Sequence, residues 1–402
     1  MSITQIDLDF LTSAQGRSLL AELAQADLSA QNRLSLVTRL RDSYTLEQVS
    51  VAVSMAEWRA KAIEKFGNDA HQLLFTDDGL QQASDPLIRQ YRATELANSK
   101  TDTLRVLDVC CGIGTDSIAF ARAGMTVHGI DMDATRIAIA QHNAEVLGID
   151  ITFSIQDVTQ GIPADYDIIF YDPARRDKNG KRIYDVESYL PPLSLIKTWS
   201  AEQIIVKLSP GVDLAQLTDY NGTVEFISVN GDLKEAVLRT PTTESYAYAT
   251  YINETGVHHW YPQREEGMVI HPTVSLAEPL GWLCEPDPAI LRARLVEDVA
   301  HAHNGYMLDE QIAYFCTSEC PESVWLRAWK IREWLPFNLK KLRARLRQMD
   351  VGTLTVKKRG SPITPEELIR KLKLKGTQSA TVVLTRYRDQ PIAIICDDIL
   401  TD

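Results

Sequence analysis

From Val106 to Ala121 the chain reads VLDVCCGIGTDSIAFA: a buried strand ending at Asp108, a loop carrying Cys110, Gly112 and Gly114, and a helix opening near Ser117. Glycines in such a loop let backbone approach a ligand closely, and the free N–H groups of a helix start suit an anionic group. Asp131 ends the next strand, VHGID, 23 residues after Asp108. An acid at that place typically accepts hydrogen bonds from ribose hydroxyls. Asp157 follows a third strand (TFSIQDV), placed to take an adenine amine, with Met132 and Val158 beside the two acids as faces for the ring. Asp172 and Pro173 follow a fourth strand in DIIFYDPARRD, and a VKLSPG loop follows a fifth. These signals, in this order, imply an adenosine-type ligand at the carboxyl edge of a sheet.

Charge decides which ligand. A dinucleotide would set a doubly charged pyrophosphate on this loop, where a carboxylate at Asp108 repels it. S-adenosylmethionine (SAM) brings an ammonium and a sulfonium, which Asp108 attracts, while its single carboxylate faces the loop amides. The third glycine of the dinucleotide fingerprint is also absent, replaced by Ser117. The expected cofactor is SAM, with Asp172-Pro173 where its methyl group is delivered.

The elements that must hold these residues follow from periodicity. Residues 1–98 read as helical, the best helix starting at Thr45, where Gln48 completes a capping box. Its apolar stripe runs Leu46, Val49, Val53, Ala56, Ala60, Ile63, and Gly67 is the stop. From Leu104, short apolar runs alternate with helical stretches for about 100 residues, which predicts a parallel sheet with crossover helices. Runs such as DIIFY fit a sheet covered on both faces. Asn230-Gly231 predicts a tight hairpin. Beyond Pro241 the reading is α+β: a helix over 288–303, a basic amphipathic helix at Asn338–Met349 striped by Leu339, Leu342, Leu346 and Met349, and a helix capped by Thr364 with Glu367 closing its box.

The chain has 402 residues, 45% hydrophobic and 24% charged, an ordinary globular composition. No apolar run nears the ~18 residues that cross a bilayer, and the start, MSITQIDLDF, has no leader pattern. Six cysteines without a Cys-x-x-Cys pair, and eight histidines without acidic partners at ligand spacing, predict no disulfide scaffold and no metal. A cytoplasmic setting and no membrane partner are expected. Net charge is −12, yet Leu326–Gly376 holds fifteen Lys or Arg against four Asp or Glu, so that stretch carries +11 and the remainder −23. Such asymmetry fits either a polyanion-binding module on an acidic body or a solvated helical face. The cations are Lys340, Lys341, Arg343, Arg345 and Arg347 on one helix, Lys357, Lys358 and Arg359 after a strand, and Arg370, Lys371, Lys373 and Lys375 at a helix end. Helix dipoles account for the last group alone.

The loop, the ordered acids, DPARRD, KLSPG and the tail LTVKKRG together resemble class I SAM-dependent methyltransferases of the bacterial branch with a C-terminal THUMP-like domain, over nearly the whole chain including FTDDGLQQAS. The resemblance implies an α/β fold with a Rossmann-like seven-stranded sheet whose last strand is antiparallel, followed by α+β parts. It divides the chain into an N-terminal helical region (1–98), a methyltransferase domain (99–240), a ferredoxin-like domain (241–325) and a basic THUMP-like domain (326–402). It implies SAM binding at Asp108, Gly112, Gly114, Asp131 and Asp157, with Cys110 where the family has a first loop glycine, and offers Phe75, Thr76 and Gln82 for the pocket mouth, with plain packing as their other role. True THUMP domains go with tRNA-modifying enzymes.

Amine methyltransferases often follow Asp-Pro with Pro and an aromatic ring that stacks on a base. Here Ala174, Arg175 and Arg176 follow, so a ring would come from Tyr171 or Tyr184. The expected chemistry is methylation of an exocyclic amine in structured RNA (tRNA or rRNA), with Asp172 and the Pro173 carbonyl orienting the amine. Arg175 or Arg176 holds a phosphate, or else pairs with Asp177 or Asp185, and Lys357, Lys358 and Arg359 contact RNA. Pyrimidine C5 methylation needs a nucleophilic cysteine beside the ring, a role that Cys110 and Cys111 in the cofactor loop do not suit. The alternatives are a methyltransferase of protein or small molecules and a non-catalytic RNA binder that keeps the fold.

Overall fold

The computed structural model describes residues 3–176 and 180–397. They form two compact units, one drawn from the chain up to Gly222 with Ala236–Thr243, the other from Thr223–Glu235 and the chain from Glu244 on.

The first unit opens with helices α1 (Gln5–Thr12), α2 (Ala14–Leu23), α3 (Ala30–Leu40), α4 (Leu46–Phe66), α5 (Asp77–Gln82) and α6 (Pro86–Ala97). The capping box at Thr45 forms in both directions, and Gly67, at φ 54°, ends α4. Its buried face differs from the expected stripe. Leu46 and Ile63 are exposed, while Val51, Ala52, Met55, Trp58 and Ala62 join Val49, Val53 and Ala56 inside. The cause is that α4 is packed on more than one side, sharing its core with residues of α1, α2 and the Leu73–Phe75 segment.

Next come β1 (Arg105–Val109), α7 (Thr115–Arg122), β2 (Thr126–Asp131), α8 (Ala134–Val146), β3 (Thr152–Ile155), β4 (Ile168–Tyr171) and β5 (Gln203–Leu208). The five strands are parallel in the order β3-β2-β1-β4-β5. Every residue of β4 is buried, as a strand covered on both faces requires. The chain then runs along β6 (Thr223–Val229) and turns at Asn230-Gly231, both with positive φ (51° and 83°), into β7 (Asp232–Thr240). Ala236–Thr240 pair antiparallel with β5. The first unit therefore holds five of the seven expected strands and the Ala236–Thr240 part of the antiparallel one, and β6 belongs to the second unit. Strand order reverses between β1 and β4, and ligands in such sheets bind at the carboxyl ends beside that point.

In the second unit, β8 (Ala247–Asn253) lies parallel to β6 and antiparallel to β9 (Gly256–Trp260), followed by a short pair, β10 (Gln263–Glu265) and β11 (Met268–Ile270). Then follow β12 (Trp282–Pro286), α9 (Pro288–Arg292), α10 (Val296–Ala302), β13 (Tyr306–Asp309), β14 (Ile312–Thr317), β15 (Leu326–Pro336), α11 (Leu339–Gln348), β16 (Val351–Lys358), α12 (Pro365–Leu372), β17 (Gln378–Tyr387) and β18 (Gln390–Cys396). They build a mixed sheet in the order β13-β14-β12-β15-β18-β17-β16. The helix expected over 288–303 is two helices, broken where Arg294 takes φ 62°. The Asn338 side chain caps α11, whose Leu342 and Leu346 are buried with Leu368 and Leu372 of α12. Thr364 caps α12 as expected, but the Glu367 side chain binds Lys371 and the box has no second bond.

Candidate active site

Every residue of the expected cofactor site falls in the first unit, at the carboxyl ends of β1 to β3. Cys110 has φ 62°, the left-handed region that favours glycine, which explains why related loops place glycine there. Gly112 is at φ 58°, and a Cβ there would point into open space. Gly114, at φ 81°, starts α7, and a Cβ on it would press on Ala140 and Phe153 at 3.0 and 3.2 Å. One glycine therefore leaves room for a ligand and the other lets the loop pack on α8. The loop is tied from behind. The Asn143 side chain accepts from Leu74 N (2.8 Å) and donates to the carbonyls of Leu74 (3.1 Å) and Ile113 (3.2 Å).

Asp108 is buried and accepts a short hydrogen bond from the Ser117 hydroxyl. Burial first, then the Asp116 carboxylate, pushes its acid group up to about 8. Asp131 is buried too, and its two oxygens accept from Gly112 N and Asp133 N, both at 3.0 Å. Asp157 is exposed and uses Oδ1 to accept from Thr159 N (2.9 Å) and Oγ1 (2.7 Å). Those bonds hold its carboxyl below the ordinary range. Val158 is buried, and Met132 stands 72% exposed beside Asp131, open to cover an adenine face. Cys110 and Cys111 have thiols pushed well above the usual cysteine range, by burial first and by neighbouring carboxylates second. They are poor nucleophiles.

The acceptor end is more crowded than the sequence suggested. Asp172 Oδ2 accepts from the buried Lys207 ammonium at 2.8 Å, and Arg175 Nη2 lies 3.7 Å from Oδ1. Lys207, near the end of β5, also donates to Ser84 Oγ (2.9 Å) and faces the Gln82 carbonyl at 3.5 Å. Ser84 in turn donates to Asp116, which pairs with the buried Arg92 at 2.8 Å. Arg175 binds the Leu208 carbonyl (2.7 Å) and pairs with Asp172, whereas Asp185 spends its oxygens on Glu187 N and Ser188. Asp177, the other expected partner, lies outside the described residues. Arg176 is exposed, reaching the Gly180 carbonyl at 3.0 Å. Pro173 is buried.

Tyr171 is fully buried with its hydroxyl on the Pro191 carbonyl (2.7 Å), so it presents no face to a substrate. Tyr184 is exposed and lies beside Gly211 of the SPG loop. Phe75 is buried packing, Thr76 caps α5, and Gln82 enters the site through its backbone alone. Sequence reasoning missed Lys207, Ser84, Arg92 and Asn143. Lys207 left a trace, being the one charge in the apolar strand QIIVKL, and a buried cation demands a partner.

With Asp116 matched by Arg92 and Asp172 by Lys207, Asp108 and Asp131 are the buried acids of the cleft without an ion pair among the described residues, and the exposed Asp157 has none either. A cationic amino-acid ligand with a ribose fits that donor set, and a pyrophosphate does not. Fold and site together define a class I SAM-dependent methyltransferase.

Comparison with known proteins agrees. Residues 100–200 match the methyltransferase domain family, 326–398 the THUMP domain-like family, and 5–62 a domain of unknown function. Uncharacterised SAM-dependent methyltransferases from two strains of Mycobacterium tuberculosis are each 32% identical over 322 residues, covering 78% of this chain and 85% of theirs. The chain belongs to the SAM-dependent methyltransferase family. An uncharacterised RNA methyltransferase of Prochlorococcus marinus is 38% identical over 96 residues, 23% of each chain. A Porphyromonas gingivalis W83 crystal structure, whose name proposes a methyltransferase, shares the fold at TM-score 0.74 and 19% identity, covering 95% of this chain and 98% of that one.

Among the described residues no helix is long and apolar enough to cross a membrane, and no group of three or more His, Cys, Asp or Glu is gathered to hold a metal ion.

Proposed function

We propose that this enzyme methylates an exocyclic amine of a base in structured RNA, tRNA or rRNA, in the cytoplasm. The observation that carries the reading is Asp172-Pro173 ending β4 in the same cleft as Asp108 and Asp131. SAM supplies an electrophilic methyl group, so the protein need only hold a nitrogen lone pair in line with it. Asp172 accepts one amine N–H and the Pro173 carbonyl another, while Tyr184 offers an exposed ring and Arg176 an exposed guanidinium for a phosphate. On the cofactor side, Asp108 faces the ammonium, the loop at Cys110, Gly112 and Gly114 the carboxylate, Asp131 the ribose, and Asp157, Met132 and Val158 the adenine.

RNA as substrate is supported by the THUMP-like match, by the name of the Prochlorococcus relative and by the charge on the tail. The cations differ in availability. Lys357 and Arg359 pair with Glu285 and lie over the rings of Trp329 and Tyr314, which leaves Lys358 as the exposed member of that group. Lys340, Lys341, Lys373 and Lys375 are exposed without a side-chain partner among the described residues. Arg343 and Arg347 reach the carbonyls of Lys371 and Lys373, joining α11 to the end of α12 as one basic surface. Phosphate contact is assigned there and to Lys358. The internal pairing of Lys357 and Arg359 favours the second reading, transfer to a protein or small molecule.

The test is mass spectrometry of nucleosides from total RNA with and without this chain. Loss of one N-methylated nucleoside in its absence is expected. Unchanged RNA, with labelled methyl appearing in protein, selects the second reading.

A further inference from the structure

Lys207 is a buried cation that the transfer scheme has not used. Its ammonium has three oxygen neighbours: Asp172 Oδ2 at 2.8 Å, Ser84 Oγ at 2.9 Å and the Gln82 carbonyl at 3.5 Å. Its side chain is 4% exposed and that of Asp172 22%, so water does little to screen the pair. Arg175 Nη2 stands 3.7 Å from the other oxygen and is held by the Leu208 carbonyl. Ser84 is itself fixed by Asp116, and Asp116 by Arg92.

We infer that Lys207 is a positioning residue for methyl transfer, fixing Asp172 so that Oδ1 alone receives the acceptor N–H and cancelling its charge so that the acceptor must be a neutral nitrogen. This rests on Asp172 being the amine acceptor, and it narrows the substrate class. A bare carboxylate at the methyl would draw in a cationic amine such as a lysine side chain, whose protonated nitrogen has no lone pair to attack with. Paired with Lys207 and flanked by Arg175, Asp172 offers such a cation no net attraction. An exocyclic base amine is neutral, brings an N–H for Oδ1, and suits this arrangement.

The experiment needs no known substrate. Dissociation constants are measured by calorimetry for SAM and for sinefungin, which carries an amine, cationic at neutral pH, where SAM carries the methylated sulfur. In Lys207→Met the freed Asp172 carboxylate should favour sinefungin over SAM by about tenfold relative to the unmodified chain, as one new hydrogen bond to a charged group provides. Lys207→Arg should keep the original ratio. An unchanged ratio in folded Lys207→Met overturns the inference. Should that variant not fold, Lys207→Gln, uncharged but able to donate to Ser84 and Gln82, takes its place.

A second arm follows labelled methyl transfer to total RNA from cells lacking this chain. There Lys207→Met should lower kcat at least about tenfold, with SAM affinity near normal and recovery in Lys207→Arg. Equal kcat overturns the positioning role. An unmodified enzyme that labels no RNA overturns the RNA reading, while the sinefungin ratio still decides the place of Lys207.

Discussion

Asp108 is under two opposing demands. Its burial, with Asp116 nearby, favours the protonated acid up to about pH 8, whereas a cationic ligand favours the carboxylate. The sequence reading treated it as a standing charge, but burial makes it conditional on the ligand. Sequence shows a residue's type, not the water removed from around it. The sign follows. If Asp108 receives the ammonium of SAM as proposed, the acid must lose its proton on binding below about pH 8, so SAM should bind more tightly as pH rises to about 8 and level off beyond. Without SAM the dependence reverses. The folded-state value lies above the ordinary one near 4, so the stability that the protonated group contributes is lost as pH climbs through about 8. Thermal unfolding with and without saturating SAM should therefore show a larger SAM-induced shift at pH 8.5 than at 6.5, and Asp108→Asn should flatten the difference. A shift independent of pH in the unmodified chain would remove Asp108 from cation recognition.

Elements differed in how readily the sequence disclosed them. α4 was legible because caps and stops are local signals, Thr45 with Gln48 and Gly67, and α11 because its apolar stripe, with Leu342 and Leu346, is local too. The β1 loop was legible because its residues lie within one short stretch. What holds that loop was not, since Asn143 bonds Leu74, 69 residues away, and a polar residue in helix α8 reads as exposed until the segment packed on it is known. The break at Arg294 was hidden likewise, because a left-handed arginine leaves no mark in composition. Asn143 yields a prediction. Asn143→Leu keeps the branched shape but strips partners from Leu74 N, Leu74 O and Ile113 O, and each buried group left unpaired costs about 1–3 kcal/mol. Denaturant unfolding should show a loss of at least ~2 kcal/mol. Calorimetry should show weaker SAM binding, because Ile113 lies between the two glycines of the loop. Loss of stability with unchanged SAM affinity would mean that the tie serves packing alone.

Over the whole molecule the charge division is the feature that sequence shows best and structure refines most. A stretch of +11 in a chain of net −12 was countable at once, but which cations are free to meet a polyanion depends on neighbours far along the chain. Glu285, 72 residues before Lys357, is such a neighbour, and it pairs with both Lys357 and Arg359. Two groups of substitutions should therefore behave differently. Replacing Lys340, Lys341, Lys373 and Lys375 by Gln removes four exposed charges with no side-chain partner among the described residues, so stability should hardly move. If all four meet phosphates, the slope of log affinity for RNA against log salt should fall by about 0.7–0.9 for each, roughly 3 in all. Lys357→Gln should instead leave the slope unchanged and lower stability, since it abandons a half-buried Glu285 and the Trp329 ring. Filter binding of total RNA across a salt series, with thermal unfolding of each variant, measures both. A slope unmoved by the fourfold replacement would take RNA off the α11–α12 surface and reduce the basic stretch to a solvated face.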